Sequence, residues 1–320
     1  MSPTTLVTGA TGFVGSHLLQ RLASSSGPPL VGWRRRPRPE RPGVPTRTFP
    51  PATRVQWQQV DVLDYDAVVT ALAQSQPTQI YHLAGVAGVH ESWGRVVPTL
   101  EGNVRGTDNI LRAVKALDMK TRVLIPGSAL VYRSSSGAIA EDDPLGPVSP
   151  YGLSKLAQEM LARQCVEAGA DIVLTRSFTH IGPGQDASYA ASGFARQIAQ
   201  IEAGHADPII RVGFLGARRD LLDVRDTVDA YAALMARGTT GRTYNVCSGR
   251  AHLISEILDG LVSQARVSVH IEPDAQRMRA GDNLFLLGDP RRLREDIEWR
   301  PSIALEQTLC DLLESWRAAM

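Results

Sequence analysis

Apolar positions along the chain fall into two alternating rhythms. Short β-branched or apolar runs at 5–8, 30–33, 54–60, 79–83, 122–126 and 171–175 have the length of buried strands. Between them, 12–23, 64–74, 99–117 and 150–168 carry apolar residues at helical spacing. Strands alternating with helices predict βαβ units and a parallel sheet covered on both faces. Right-handed crossovers make that sheet doubly wound, with ligands beyond the carboxyl ends of its strands. The expected class is therefore α/β.

From residue 176 the rhythm changes to short segments, such as 208–212 and 267–271, set among helices and loops. A smaller α/β substrate-binding region is expected there, comprising 176–221 and 249–320. Residues 224–237 and 242–246 look like one more helix–strand unit, so 222–248 is expected to return to the sheet built by 1–175. The stretch 34–51 holds six Pro and six Arg against one Glu, which predicts an extended surface loop. No internal repeat or heptad seam stands out.

Bulk properties narrow the class of partner. With 43% hydrophobic and 21% charged residues, the 320-residue chain has the balance of a globular protein with a sizeable core. Its net charge of +1 calls for neither nucleic acid nor an acidic membrane surface. The three cysteines, Cys165, Cys247 and Cys310, form no CxxC pair and suit a reducing compartment. The first residues lack a signal-peptide pattern, and no apolar run reaches the roughly 20 residues of a membrane span. A cytoplasmic location is expected.

The first candidate chemistry is a glycine turn. Gly9, Gly12 and Gly15 follow the first predicted strand and open a helix, with Thr11, Phe13 and Val14 between them. Such a turn admits a pyrophosphate close to backbone amides at a helix N-terminus. In this strand–turn–helix context it marks a dinucleotide-binding Rossmann sheet. The second strand ends in Trp33-Arg34-Arg35-Arg36, with no acidic residue before Glu40 to bond an NAD ribose. Guanidinium grips phosphate well, so Arg34 and Arg35 favour NADP(H), with NAD(H) possible. Asp61 and Val62 end the third strand, where Asp61 is placed to accept from the adenine amino group, whereas Asp64 reads as a helix cap. Leu83, Ala84 and Gly85 close the fourth strand where the cofactor would pass, and His82 reads as a satisfied core histidine.

Tyr151 and Lys155 stand four apart at a predicted helix start, on one face. A phenol with a pKa near ~10 exchanges protons poorly at neutral pH, and a neighbouring ammonium is expected to lower it. Ser128 ends the fifth predicted strand beside the crevice, where its hydroxyl is placed to hold a reacting carbonyl. No cluster of His, Cys and carboxylates has metal-ligand spacing, so no metal is expected.

These residues resemble the extended short-chain dehydrogenase/reductase family that modifies nucleotide sugars, over essentially the whole chain. The matching stretches are 8–15, 61–64, 82–85, 103–107 and 151–155. The C-terminal half, through 178–185, 194–198, 219–226 and 244–249, is most similar to the GDP-4-keto-6-deoxy-D-mannose reductases and GDP-mannose 4,6-dehydratases. The resemblance implies a catalytic set of Ser128, Tyr151 and Lys155, with Phe178 beside the cofactor. It also implies substrate contacts from Ser128, Thr179, His180, Arg196, Arg219 and Arg279, the arginines holding the diphosphate or nucleotide. Relatives pair two helices across a two-fold axis, which implies a homodimer through 99–117 and 150–168, whose stripes include Ile110, Leu111, Val114, Leu156, Met160 and Leu161. A core-facing role explains those stripes equally well.

Three departures bear on the reaction. Leu130 stands where the dehydratases and many reductases place an acidic residue, Thr179 where Asn is usual, and Arg133 where Gly is usual. Without a base at 130, dehydration is disfavoured. The expected activity is NADPH-dependent reduction of the 4-keto group of a GDP-linked 6-deoxyhexose, giving a product like GDP-D-rhamnose. The alternative is a nucleotide-sugar 4-epimerase that retains its NAD(P). A non-catalytic Rossmann scaffold or redox sensor would commonly have lost the Tyr or the Lys, and both stand here.

Overall fold

The computed structural model describes residues 3–24, 27–35, 43–51, 53–277 and 284–320. Six strands of the main sheet come early: β1 (Thr5–Thr8), β2 (Leu30–Arg34), β3 (Val55–Gln59), β4 (Gln79–His82), β5 (Arg122–Ser128) and β6 (Ile172–Ser177). The helices among them are α1 (Phe13–Ala23), α2 (Tyr65–Ser75), α3 (Val89–Gly94), α4 (Val96–Leu100), α5 (Gly106–Ala116) and α6 (Pro150–Glu167). The remainder comprises β7 (Thr179–Ile181), α7 (Ala190–Glu202), β8 (Ile209–Val212), β9 (Arg218–Asp223), α8 (Val224–Arg237), β10 (Thr243–Val246), β11 (Ala251–Leu253), α9 (Ile254–Val262), β12 (His270–Pro273), β13 (Phe285–Leu286), α10 (Arg291–Ile297) and α11 (Leu305–Arg317).

The main sheet has seven parallel strands in the order β10-β6-β5-β4-β1-β2-β3. This is the doubly wound Rossmann order, extended at one edge by β10, with its switch point between β1 and β4. Every residue of β1, β6 and β10 is buried, as expected of parallel strands covered on both faces. One face packs Leu18 and Leu19 of α1 with Tyr231 and Leu234 of α8. The other packs Leu72 of α2, Ile110 of α5 and Ala162 of α6. A separate core joins α7, α9, α11 and β8 around Phe194, Leu258, Leu312 and Trp316.

Two differences from the sequence expectation carry physical content. The single helix expected at 99–117 is broken: a π-helical turn at Glu101–Arg105 separates α4 from α5. Such turns insert an extra residue and re-aim side chains, often at functional sites. The short strands β7, β9, β11 and β13 did not stand out, because they are two to six residues long and mix charged with apolar positions. Their pairing partners, not their own pattern, define them.

Near the sheet edge at β6 and β10 sits a buried charged network. Arg176 and Glu159, both buried, pair through Nε to Oε2 at 2.9 Å and Nη2 to Oε1 at 2.7 Å. The guanidinium lies 4.7 Å from the Tyr132 ring centroid and donates to the Glu141 carbonyl at 2.8 Å. Paired and hydrogen-bonded in this way, the two charges tolerate burial.

Candidate active site

The 9–15 turn follows the carboxyl end of β1, and two of its positions admit only glycine. Gly9 has φ +62°, and a Cβ there would meet Ala84 N at 2.7 Å. A Cβ on Gly15 would strike the Gly9 carbonyl and Ala10. Gly12 caps α1 without a side-chain hydrogen bond, so the first-turn amides around Phe13 and Val14 face the crevice uncapped by protein. This cradle, which a side chain would fill, fits the diphosphate of a dinucleotide.

A hydrogen-bonded chain ties that turn to α6. Thr8 Oγ1 accepts from Ala84 N (3.0 Å) and bonds His82 Nδ1 (3.0 Å), while His82 Nε2 meets Thr107 Oγ1 (3.0 Å). Thr107 donates to the Asn103 carbonyl (2.7 Å), so it accepts from His82 Nε2–H and from Gln158 Nε2 (2.6 Å). Gln158 Oε1 then accepts from Lys155 Nζ (2.8 Å). Burial first, then the charge of Lys155, pushes the His82 pKa down to about 3, so this histidine is a neutral relay in the core. Asn103, brought in by the π turn, accepts from Val86 N (2.8 Å) and donates to Ser154 Oγ (2.8 Å), joining the loop after β4 to α6.

Ser128 ends β5 and caps a 3-10 turn at Ala129–Val131, accepting from Leu130 N at 3.2 Å. Ser149 caps α6 by accepting from Gly152 N at 3.0 Å, and Pro150 fills its first position. Gly152 is required here, because a Cβ would run into the Leu130 carbonyl and Pro147. The α6 start therefore presses on the Ser128 turn. Tyr151 lies near enough to Ser128 for that hydroxyl to act on its phenol. Burial raises the phenol pKa, with the nearby Tyr189 adding to the rise, and the Ser128 hydroxyl opposes it.

The expectation that Lys155 lowers the Tyr151 pKa is corrected by this geometry. Lys155 Nζ is directed to the Pro126 carbonyl (2.9 Å) and to Gln158, and burial holds the phenol above its ordinary value. Burial pushes Lys155 itself down to about 8.

At the second strand end, Arg34 lies over the Trp57 ring, 5.4 Å from its centroid, and Arg35 is exposed. Arg34 Nε is buried and makes no hydrogen bond among the described residues. An orphaned cationic donor beside the glycine turn fits an anionic ligand group. Asp61 Oδ1 accepts from Leu63 N (3.0 Å), and Asp64 caps α2 by accepting from Ala67 N (3.0 Å). Val62 is fixed through its carbonyl by Asn109 Nδ2 (2.9 Å).

On the opposite side of the crevice, Phe178 is buried against Tyr132, and Thr179 and His180 follow in β7. The His180 ring stacks on Phe13 at 6.0 Å and 18°, its Nδ1 meets the Phe178 carbonyl at 3.2 Å, and burial lowers its pKa. Arg196, on exposed α7 surface, lies 6.0 Å from the Trp316 ring centroid, and Arg219 Nη1 donates to the Arg218 carbonyl at 3.0 Å. Arg36 and Arg279 lie outside the described residues. Leu130 and Leu156 pack on the cluster holding Ala129, Val131 and Phe178, and Arg133 is exposed with its stem against Gly146.

The carboxylates of the 219–226 motif are consumed by the fold. Asp220 accepts from Ser248 N (2.8 Å), Ser248 Oγ (2.7 Å), Gly249 N (2.9 Å) and Gly288 N (3.1 Å). Asp223 holds Arg225 and Thr308, and Asp226 holds Ser302 and Ile303. Sequence reasoning assigned no role to Asn103, Thr107, Gln158 or Tyr189. The available signal was Asn103 and Thr107 four apart in a helical run, polar side chains on a buried face. Tyr189 reaches the Ala87 carbonyl at 3.3 Å across the crevice.

A Rossmann sheet whose crevice joins a glycine turn to a Ser–Tyr–Lys set defines an NAD(P)-dependent oxidoreductase of the extended short-chain dehydrogenase/reductase type. A family model described as GDP-mannose 4,6 dehydratase matches residues 6–312, and the chain belongs to that family. It is 34% identical over 322 residues to GDP-6-deoxy-D-mannose reductase of Pseudomonas aeruginosa, covering 99% of this chain and 98% of that one. The solved structure of RMD from Pseudomonas aeruginosa complexed with NADPH superposes with a TM-score of 0.85 at 33% identity, covering 99% and 100% of the two chains. UDP-glucose 4-epimerase of Bacillus subtilis is more distant, at 25% identity over 342 residues, covering 98% and 95%.

Proposed function

We propose that this protein is an NADPH-dependent reductase of the 4-keto group of a GDP-linked 6-deoxyhexose, of the kind that converts GDP-4-keto-6-deoxy-D-mannose to GDP-D-rhamnose. The observation that carries the reading is the start of α6, with Tyr151, pressed through Gly152 onto the turn that Ser128 caps, with the apolar Leu130 side chain beside them. Dehydration needs a base for the proton α to the C4 ketone, and the apolar side chain of Leu130 offers none. The identity to GDP-6-deoxy-D-mannose reductase supports the choice of sugar nucleotide.

The cofactor would be held by the amides of 9–15, by Asp61, Val62 and Leu83 to Gly85, by Phe178, and by Arg34 and Arg35 at the adenine ribose. When bound, it supplies a hydride for C4. Tyr151 gives its proton to the oxygen developing at C4. Its raised pKa keeps the phenol protonated at neutral pH, the state a donor needs. Ser128 orients the carbonyl oxygen. Lys155, fixed by Pro126 and Gln158, has a third N–H for the cofactor ribose. Thr179, His180, Arg196, Arg219 and Arg279 are proposed on the sugar nucleotide, which puts the substrate side of the molecule in the chain after β6.

The experiment is absorbance at the reduced-nicotinamide band with NADPH and GDP-4-keto-6-deoxy-D-mannose. One NADPH oxidised per sugar, faster than with NADH, is the expected result. No net oxidation, with cofactor already bound to the purified protein, would instead establish the 4-epimerase.

A homodimer in the cytoplasm completes the proposal. No helix among the described residues is long and apolar enough to cross a membrane. Leu153 and Met160, seven apart on α6, are exposed together with Trp93 and Val97 of α3 and α4. Ile110 and Leu111 are buried in the sheet core, so α5 does not offer its apolar stripe to a partner. A dimer mass in light scattering is expected, and a monomer at micromolar concentration contradicts it.

A further inference from the structure

Trp57 has no role in the chemistry above, yet the fold arranges three residues around it. Gly32 of β2 is its Cα partner across the sheet, and a Cβ there would sit 2.9 Å and 3.0 Å from two carbons of the indole. The missing side chain at 32 lets the ring lie across β2 toward Arg34, whose guanidinium carbon is 5.4 Å from the ring centroid. Phe49 meets the indole edge-on, at 5.6 Å and 85°. The loop carrying Phe49 is itself fastened: Gln20 Nε2 donates to the Thr48 carbonyl (2.8 Å), and Arg47 Nη1 to the Thr11 carbonyl in the glycine turn (2.8 Å).

Arg34 is differently held. Its carbonyl accepts from Val60 N at 3.0 Å, which fixes the backbone. Its buried Nε has no hydrogen-bond partner among the described residues, so the observed restraint on the guanidinium is the face of Trp57. A cation over an indole face is attracted by the ring quadrupole, and a long side chain so restrained loses less freedom when it meets an anion.

We propose that Trp57 is a positioning residue for the cofactor's 2′-phosphate: it holds the Arg34 guanidinium at the end of β2 and thereby sets the preference for NADP(H) over NAD(H). The inference rests on the NADPH reading above and deepens it. Gly32 makes room for the platform, and Phe49 steadies its edge.

The test is calorimetric titration of the full-length protein with 2′,5′-ADP and with ADP, which share everything except the 2′-phosphate and need no sugar substrate. Wild type is expected to prefer 2′,5′-ADP. Trp57→Leu is expected to weaken 2′,5′-ADP by about five- to twentyfold while moving ADP less than about twofold. Trp57→Phe, which keeps a ring face, retains most of the preference. Should Trp57→Leu fail to fold, Gly32→Ala displaces the indole with Trp57 and Arg34 both present, and the same selective loss is expected. Equal weakening of both ligands, or an unchanged ratio, overturns the positioning role alone. A wild-type protein that favours ADP overturns the NADPH reading and this inference with it.

Discussion

Two stretches stand out in the sequence with similar force, and the structure uses them in opposite ways. At the start of α6, Tyr151 and Lys155 stand beside the Ser128 turn, and a chain of bonds from Thr8 to Gln158 holds the Lys155 ammonium. Along β9 and α8, Asp220, Asp223 and Asp226 are as prominent in the resemblance, but Asp220 and Asp226 accept from backbone and hydroxyl groups of distant segments, and Asp223 from Arg225 and from Thr308 of α11. The distinction lies in whether a polar atom still has capacity for a ligand. A motif saturated by the fold holds the chain together, and one with spare donors facing a crevice does chemistry.

Breaking each region should therefore give opposite phenotypes. Tyr151→Phe removes the proton donor and is expected to lower kcat by about 10²–10⁴-fold, with the melting temperature and NADPH binding nearly unchanged. Thermal melts beside steady-state kinetics check this, and preserved turnover would sink the mechanism. Asp220→Ala leaves the partly buried donors of Ser248 and Gly249 and the buried amide of Gly288 without their acceptor. A loss of about 3 kcal/mol of stability is expected, seen as a shifted denaturation midpoint, while the folded fraction keeps its kcat. A large kcat loss at unchanged stability would place Asp220 among the reacting groups.

The smallest expected effect concerns pH. Burial sets the Lys155 pKa at about 8, below its ordinary value, and the ammonium is the form that can donate to the cofactor ribose. Below pH 8 that form predominates, and it is lost as pH rises through the pKa. The ratio kcat/KM for NADPH, which reports the free enzyme, is thus expected to fall tenfold per pH unit well above about pH 8. His82, with its pKa at about 3, should contribute no inflection between pH 5 and 8. A profile flat to pH 10 contradicts the role given to the buried ammonium.

The same contrast explains what was legible in the sequence. β1, β4 and β6 declare themselves because parallel strands covered on both faces need continuous apolar runs, and Gly9 because only glycine tolerates its backbone and its neighbour Ala84. Asp64 as a cap and His82 as a core histidine follow from position alone. The π turn that delivers Asn103 has no sequence period of its own. Spacing puts Lys155 on the helix face of Tyr151 but says nothing of the Pro126 carbonyl that takes the ammonium. Trp57 beneath Arg34 depends on the register between β2 and β3, which no local pattern encodes.

The most direct measurement is a single turnover with GDP-4-keto-6-deoxy-D-mannose and NADPH dideuterated at the nicotinamide C4, followed by mass and NMR analysis of the sugar nucleotide. The account predicts one deuterium at C4 of a 6-deoxyhexose product, matched by one oxidised cofactor released. Recovery of unlabelled sugar, with the nicotinamide still reduced, would contradict it.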